Sequence, residues 1–129
     1  GKPINSALEL GQIEGGFVQG QGWLTIEELN WKSNGQITTF SPSTYKIPAV
    51  SDMPKKFNVE ILKKGLNVER VVNKAKTTGE PPLMLAMSVF FAIKDAIASI
   101  SNYEKIPNID APATPEKILL SIKKLKNII

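Results

Sequence analysis

The 129-residue chain contains no cysteine and no histidine. Without cysteine no disulfide can form, and neither an iron–sulfur cluster nor a thiolate zinc site has protein ligands here. Without histidine, imidazole acid–base catalysis and a Ser-His-Asp triad are excluded within this chain. Any proton transfer falls to carboxylates, lysines or tyrosines. Long apolar runs are also scarce. The longest, near Leu83–Ile93, is closed by Lys94-Asp95 and falls short of the roughly 20 residues that cross a bilayer. No membrane contact is expected, and a soluble protein is. The start, Gly1-Lys2-Pro3-Ile4-Asn5, has no apolar segment of the kind a signal peptide carries. Gly1 is not a natural first residue, so a cut piece of a longer chain is expected.

What is present is ordinary for a globular protein: 42% hydrophobic and 22% charged residues, enough for one domain or part of one. The net charge is +4. The lysines sit in scattered pairs, Lys55-Lys56, Lys63-Lys64 and Lys123-Lys124, which reads as solvated surface. A nucleic-acid binder needs a coherent basic stripe with base-reading side chains, and none is expected.

Hydrophobic spacing and turn signals predict an α+β fold: a few-stranded sheet, a glycine-rich helix, a long buried helix and a C-terminal amphipathic helix. The glycine-rich helix is expected over Gly11 to Leu29. Short strands are expected at Gln36–Phe40, Lys56–Leu62 and Val68–Val72. Proline punctuates Ser41 to Pro54, a loop. Leu83 to Ser101 is apolar on nearly every side and should be buried on most faces. Thr114-Pro115-Glu116 starts the last helix with a cap, a proline and an acid, and Ile118, Leu119, Ile122 and Leu125 continue it.

Two stretches invite chemistry. In the first, Gly11-Gln12-Ile13-Glu14-Gly15-Gly16-Phe17-Val18-Gln19-Gly20, no Gly-Lys-Ser/Thr follows and no apolar strand precedes, so neither a P-loop nor a dinucleotide fingerprint is present. Each helical glycine costs about 1 kcal/mol relative to alanine. The glycines therefore imply close approach to a ligand or to another helix, and spacing alone leaves both open. Gln12 and Gln19 offer amides to a polar cofactor. In the second stretch, Thr78-Gly79-Glu80-Pro81-Pro82-Leu83, a carboxylate is held by stiff neighbours at a helix start. That suits a general base, although acids at helix starts commonly do no more than local electrostatics. Met84 and Met87 read as core. Trp23, Trp31, Tyr45 and Tyr103 show no regular spacing.

Taken in order, several blocks resemble the molybdenum hydroxylases, the family of xanthine dehydrogenases and aldehyde oxidases. Gly11 to Gly20 is similar to the family's cofactor-proximal segment, as is Glu27-Glu28-Leu29 after it. Pro42-Ser43-Thr44-Tyr45-Lys46-Ile47-Pro48-Ala49 resembles another segment. Gly79-Glu80-Pro81-Pro82-Leu83, followed by Phe90-Phe91-Ala92-Ile93-Lys94-Asp95-Ala96, is the most specific. Ala113-Thr114-Pro115-Glu116-Lys117-Ile118 is similar to the eukaryotic C-terminal helix start. The resemblance covers nearly the whole chain, 1–129, as the C-terminal portion of the molybdenum-cofactor-binding domain, with the upstream domains absent. Aldehyde oxidases typically carry serine after the glutamate, so Pro81-Pro82 leans toward the xanthine-oxidising branch. Ser6 and Lys76-Thr77-Thr78 depart from the family's proline and Lys-Ala-Val.

The resemblance implies a molybdenum–molybdopterin cofactor shared with upstream chain and held through its own dithiolene, so no protein metal ligand is expected. It implies Glu80 as the catalytic base and Gln12 as a cofactor-binding residue. It implies FAD, 2Fe-2S clusters and NAD in the full enzyme, oxidation of hypoxanthine to xanthine and urate in purine catabolism, a homodimer, and a cytoplasmic or peroxisomal location. The isolated chain is expected to be inactive. An aldehyde oxidase-type hydroxylase and a non-catalytic interaction fragment are the other readings.

Overall fold

The computed structural model describes residues 1–65 and 67–127. Four α-helices form the frame: α1 (Ser6–Thr25), α2 (Pro81–Leu85), α3 (Met87–Ser99) and α4 (Pro115–Leu125), with single 3₁₀ turns at Val50–Asp52 and Val72–Lys74. The order follows from local chemistry. Asn5 caps α1, its side-chain oxygen accepting from the Ala7 and Leu8 amides at 3.1 and 3.2 Å. The Glu9 carboxylate reaches back to the Ile4 amide at 2.9 Å. These contacts satisfy amides that a helix start leaves unpaired. The helix therefore begins five residues before the expected Gly11. It also ends earlier than Leu29: the Gly22 carbonyl accepts from both Ile26 and Glu27, and the chain turns inward there.

The expected sheet is not formed among the described residues. The only pairing is an isolated antiparallel bridge between Trp31 and Ile37. Lys56–Leu62 and Val68–Val72 lack a ladder partner. Alternation reports that one side of an extended segment is covered, and says nothing about which edge it pairs with. In Lys56–Leu62 the cover comes from a helix, with the Phe57 ring packed on Phe17 of α1 at a centroid distance of 5.3 Å.

The long apolar helix is two helices that meet at Ala86, shared as the C-cap of α2 and the N-cap of α3. Helical chain runs almost without interruption from Pro81 to Ser99, 19 residues with a mean hydropathy of 1.5. By length and composition that run reaches what a membrane span requires, contrary to the count made on Leu83–Ile93. Pro82 and Ala86 within it are buried against α1, as in a core helix. Met84, Leu85, Met87 and Phe91 in the same run are exposed, against the expectation of burial on most faces.

The small core lies between α3, the 100–113 linker and α4. Ile97, Ile109 and Ala113 are buried, with Phe90, Ile93, Ile118, Ile122 and Leu125 around them. The Ala113 amide donates to the Leu24 carbonyl at 2.7 Å, which ties the linker to the end of α1. Thr114 caps α4 by accepting from the Lys117 amide. The Lys105 ammonium donates to the Leu125 carbonyl at 3.0 Å and closes the other end.

The accessible surface is 9809 Å². A self-sufficient 14.1 kDa monomer would expose about 6,700 Å². The described fold is therefore more open than a compact monomer of that mass.

Candidate active site

Helix α1 carries two kinds of glycine. A Cβ on Gly20 would lie 2.5 Å from the Leu83 carbonyl oxygen and 2.7 Å from the Ala86 Cβ. One on Gly16 would lie 3.2 Å from the Pro82 Cβ. These two, one helical turn apart, let α2 lie directly on the α1 backbone. Gly11 and Gly15 differ, because a Cβ at either meets nothing within 4 Å. Packing explains Gly16 and Gly20 and leaves Gly11 and Gly15 unaccounted for.

Both of the latter open onto a cleft of about 410 Å³ lined by Gly11, Gln12, Gly15, Gly16, Gln19 and Trp23 on α1 and by Gly79, Glu80, Pro82 and Leu83 opposite. The two sequence stretches, nearly 70 residues apart in the chain, thus form the two walls of one cleft. Seating α2 on Gly16 and Gly20 brings Glu80 there. Gly79 has φ +66°, a left-handed conformation that glycine adopts without penalty. Glu80 follows as the N-cap residue of α2, its carbonyl accepting from Leu83 at 3.0 Å. Pro81 then fixes the backbone direction. Among the described residues, no hydrogen bond engages the Glu80 carboxylate or the Gln12 and Gln19 amides. All three residues are exposed toward the cleft.

Behind this wall lies a second polar feature that the sequence did not reveal as a pair. Glu27 is 8% exposed, and the Tyr45 hydroxyl donates to its Oε2 at 2.5 Å. Gly22 leaves room for this carboxylate and for Pro48, either of which a Cβ would strike. The Gln21 amide donates to the Asp52 carbonyl at 2.6 Å. The proline-punctuated loop is thereby fastened to the back of α1, and Gln19 and Trp23 border the hollow that Glu27, Tyr45 and Pro48 line. Sequence signals for this were indirect: an acid just past a helix end and a tyrosine within a proline-rich loop.

The carboxylate holds the Tyr45 phenol above its usual pKa, chiefly by accepting its proton in a hydrogen bond, with partial burial and the Glu27 charge adding to the effect. The phenol form is therefore favoured in the fold. Its contribution is complete below about pH 10, the unperturbed value, and is lost as pH rises through the higher folded value. Tyr45→Phe is expected to cost about 1.5 kcal/mol, the lower end for a bond to a charged acceptor, since Tyr45 is only half buried. Denaturant unfolding of the full-length protein at pH 8 and at pH 11 checks this, with the gap between wild type and variant narrowing at the higher pH.

Comparison with known proteins bears on what the cleft holds. Residues 1–54, which include Gln12 and the α1 glycines, match a model of the molybdopterin cofactor-binding domain. The chain is 48% identical over 124 residues to xanthine dehydrogenase/oxidase of Mus musculus, which covers 92% of the chain and 9% of that protein. It is 44% identical over 132 residues to xanthine dehydrogenase of Oryza sativa subsp. japonica, covering 94% of the chain and 10% of that protein. It is part of a xanthine dehydrogenase-type molybdenum-cofactor domain. The chain spans about a tenth of the length of these relatives, in keeping with its excess exposed surface.

A xanthine dehydrogenase-type domain takes a molybdopterin, and the residues present fit that group. Gly11 and Gly15 leave part of the cleft wall without side chains, a cradle that a Cβ at either position would begin to fill. No cluster of three or more histidine, cysteine, aspartate or glutamate side chains able to hold a metal occurs among the described residues.

Gly15→Leu separates cradle from scaffold. Leucine favours helix over glycine by about 0.8 kcal/mol, and nothing within 4 Å resists the first carbon of the new side chain. The thermal midpoint of cofactor-free protein should hold or rise while molybdenum and pterin content per chain falls. A fall in both would mean that Gly15 serves packing alone.

Proposed function

We propose that this chain forms one wall of the catalytic cleft of a purine-oxidising molybdenum hydroxylase, with Glu80 as general base and Gln12 as a cofactor-binding residue. The observation that carries the reading is that Gln12, the open glycines and Glu80 meet in one cleft. The molybdenum cofactor, when bound, supplies the metal centre at which the substrate is oxidised and its electrons are received.

The chain's own residues contribute position and proton chemistry. Gly79, Pro81 and Pro82 hold the Glu80 backbone rigidly, so its carboxylate does not have to be gathered from many conformers at the moment of reaction. The carboxylate has no competing hydrogen bond among the described residues and would be free to accept a proton from a group held opposite it in the cleft. Gln12 offers both an N–H donor and a carbonyl acceptor from the α1 wall. Glycine at 11 and 15 keeps side chains out of the space between. The Pro81-Pro82 pair supports purines over aldehydes as substrates. FAD, 2Fe-2S centres and the NAD-linked electron path belong to chain outside this one, as does the rest of the substrate pocket. The 129-residue piece alone is therefore inactive, and the exposed Met84, Leu85, Met87 and Phe91 are covered in the complete protein.

The test is metal and pterin analysis of the full-length protein, together with oxidation of hypoxanthine and xanthine. One molybdenum and one pterin per chain with urate formation supports the reading. Full-length protein free of both would reduce the chain to a non-catalytic relative.

A further inference from the structure

We infer that Gln19 is a second cofactor-positioning residue on α1, an amide that hydrogen-bonds a polar edge of the molybdenum cofactor some distance from Gln12. The inference rests on the function proposed above and extends it to a residue that neither the family resemblance nor the matched relatives single out.

Elimination among the glutamines singles out Gln19. The chain has four: Gln12, Gln19, Gln21 and Gln36. Gln21 is engaged with the Asp52 carbonyl at 2.6 Å. Gln36 accepts from the Lys32 ammonium at 3.3 Å and sits in a turn far along the chain from the cleft segments. Gln12 and Gln19 have no hydrogen-bond partner among the described residues, and both line the Glu80 cleft. They stand seven positions apart, close to two helical turns, so they lie on one face of α1 about 10 Å apart along its axis. Gly15, where a Cβ would meet nothing within 4 Å, lies between. Two free amides flanking a bare stretch of helix suit an elongated polar ligand laid along it. Trp23, one turn beyond Gln19, borders the same cleft.

Gln19 is exposed and makes no side-chain hydrogen bond among the described residues. Methionine has nearly the same length and helix propensity but no amide, so Gln19→Met removes the hydrogen bonds and leaves the helix intact. The experiment uses full-length protein and reads molybdenum and pterin per chain before and after prolonged dialysis, with thermal unfolding of the cofactor-free form alongside. Gln21→Met is the structural control. Gln19→Met should lose cofactor about fivefold faster than wild type, the size expected for one hydrogen bond, with its unfolding midpoint unchanged. Gln21→Met should show the opposite pattern: a lower midpoint and wild-type retention. Equal retention in Gln19→Met and wild type would overturn the inference while leaving the proposed function standing. Wild-type protein that never held molybdenum and pterin would overturn both.

Discussion

Replacing Glu80 with glutamine in the full-length protein is expected to lower purine turnover by about 10²–10⁴-fold, the usual contribution of a positioned general base, with molybdenum and pterin content at the wild-type level. Glutamine keeps the shape and the N-cap backbone of α2 while removing the proton acceptor. The carboxylate makes no hydrogen bond among the described residues, so the fold has little to lose. The loss should appear in kcat and in kcat/KM together, because the missing interaction is made in the transition state and not in substrate binding. Turnover within about twofold of wild type would leave α2 as a helix whose first acid has no chemical part. Loss of cofactor along with turnover would make Glu80 a binding residue instead of a base.

Gly20→Val should be strongly damaging on α1. Intrinsic propensity points the other way, since even a β-branched residue is favoured slightly over glycine in a helix. Contact decides the sign. The first carbon already meets the Leu83 carbonyl oxygen at 2.5 Å and the Ala86 Cβ at 2.7 Å. The oxygen is backbone and cannot swing aside, so α1 and α2 must part. Overpacking of this kind costs about 1–3 kcal/mol, and the two further methyls of valine place the variant at or beyond the upper end. Because α2 carries Glu80, the same displacement opens the cleft. Stability, measured as the unfolding midpoint of the full-length protein, and cofactor content should fall together. Gly11→Ala, where no neighbour lies within 4 Å, should instead stabilise the helix by about 1 kcal/mol. Similar midpoints for the two variants would refute the division of the glycines into packed and open classes.

Much of this frame was readable from residue types. Thr114-Pro115-Glu116 announced α4 because a cap, a proline and an acid each satisfy a specific need of a helix start. The glycine-rich stretch signalled close approach, and Gly79-Glu80-Pro81 a stiff, placed carboxylate. The sequence could not say that these two stretches face each other, because that depends on Gly16 and Gly20 seating α2. Nor could it separate glycines that touch a neighbour from those that do not. The α1 start was missed because Asn5 works through its side chain and leaves no mark in the hydrophobic period.

The strands failed for a different reason. Alternation in Lys56–Leu62 is genuine, but Phe57 spends it against Phe17 of a helix. Gln36–Phe40 forms one bridge and stops. A ladder needs an edge to pair with, and the described residues offer none. Likewise, the apolar character of Pro81–Ser99 was readable, but the chain itself covers only part of it. Tyr45 and Glu27 illustrate the same limit: each was visible as a polar residue, but their pairing is tertiary.

In the proposed function the cofactor lies in the cleft between α1 and Glu80. A crystal structure of the full-length protein purified with its cofactor tests this most directly. Pterin density is expected along the open glycines, between Gln12 and Gln19, with the Glu80 carboxylate facing the metal end of the cofactor across the cleft. Density for the cofactor elsewhere, with Glu80 facing bulk water across an empty cleft, would contradict that placement.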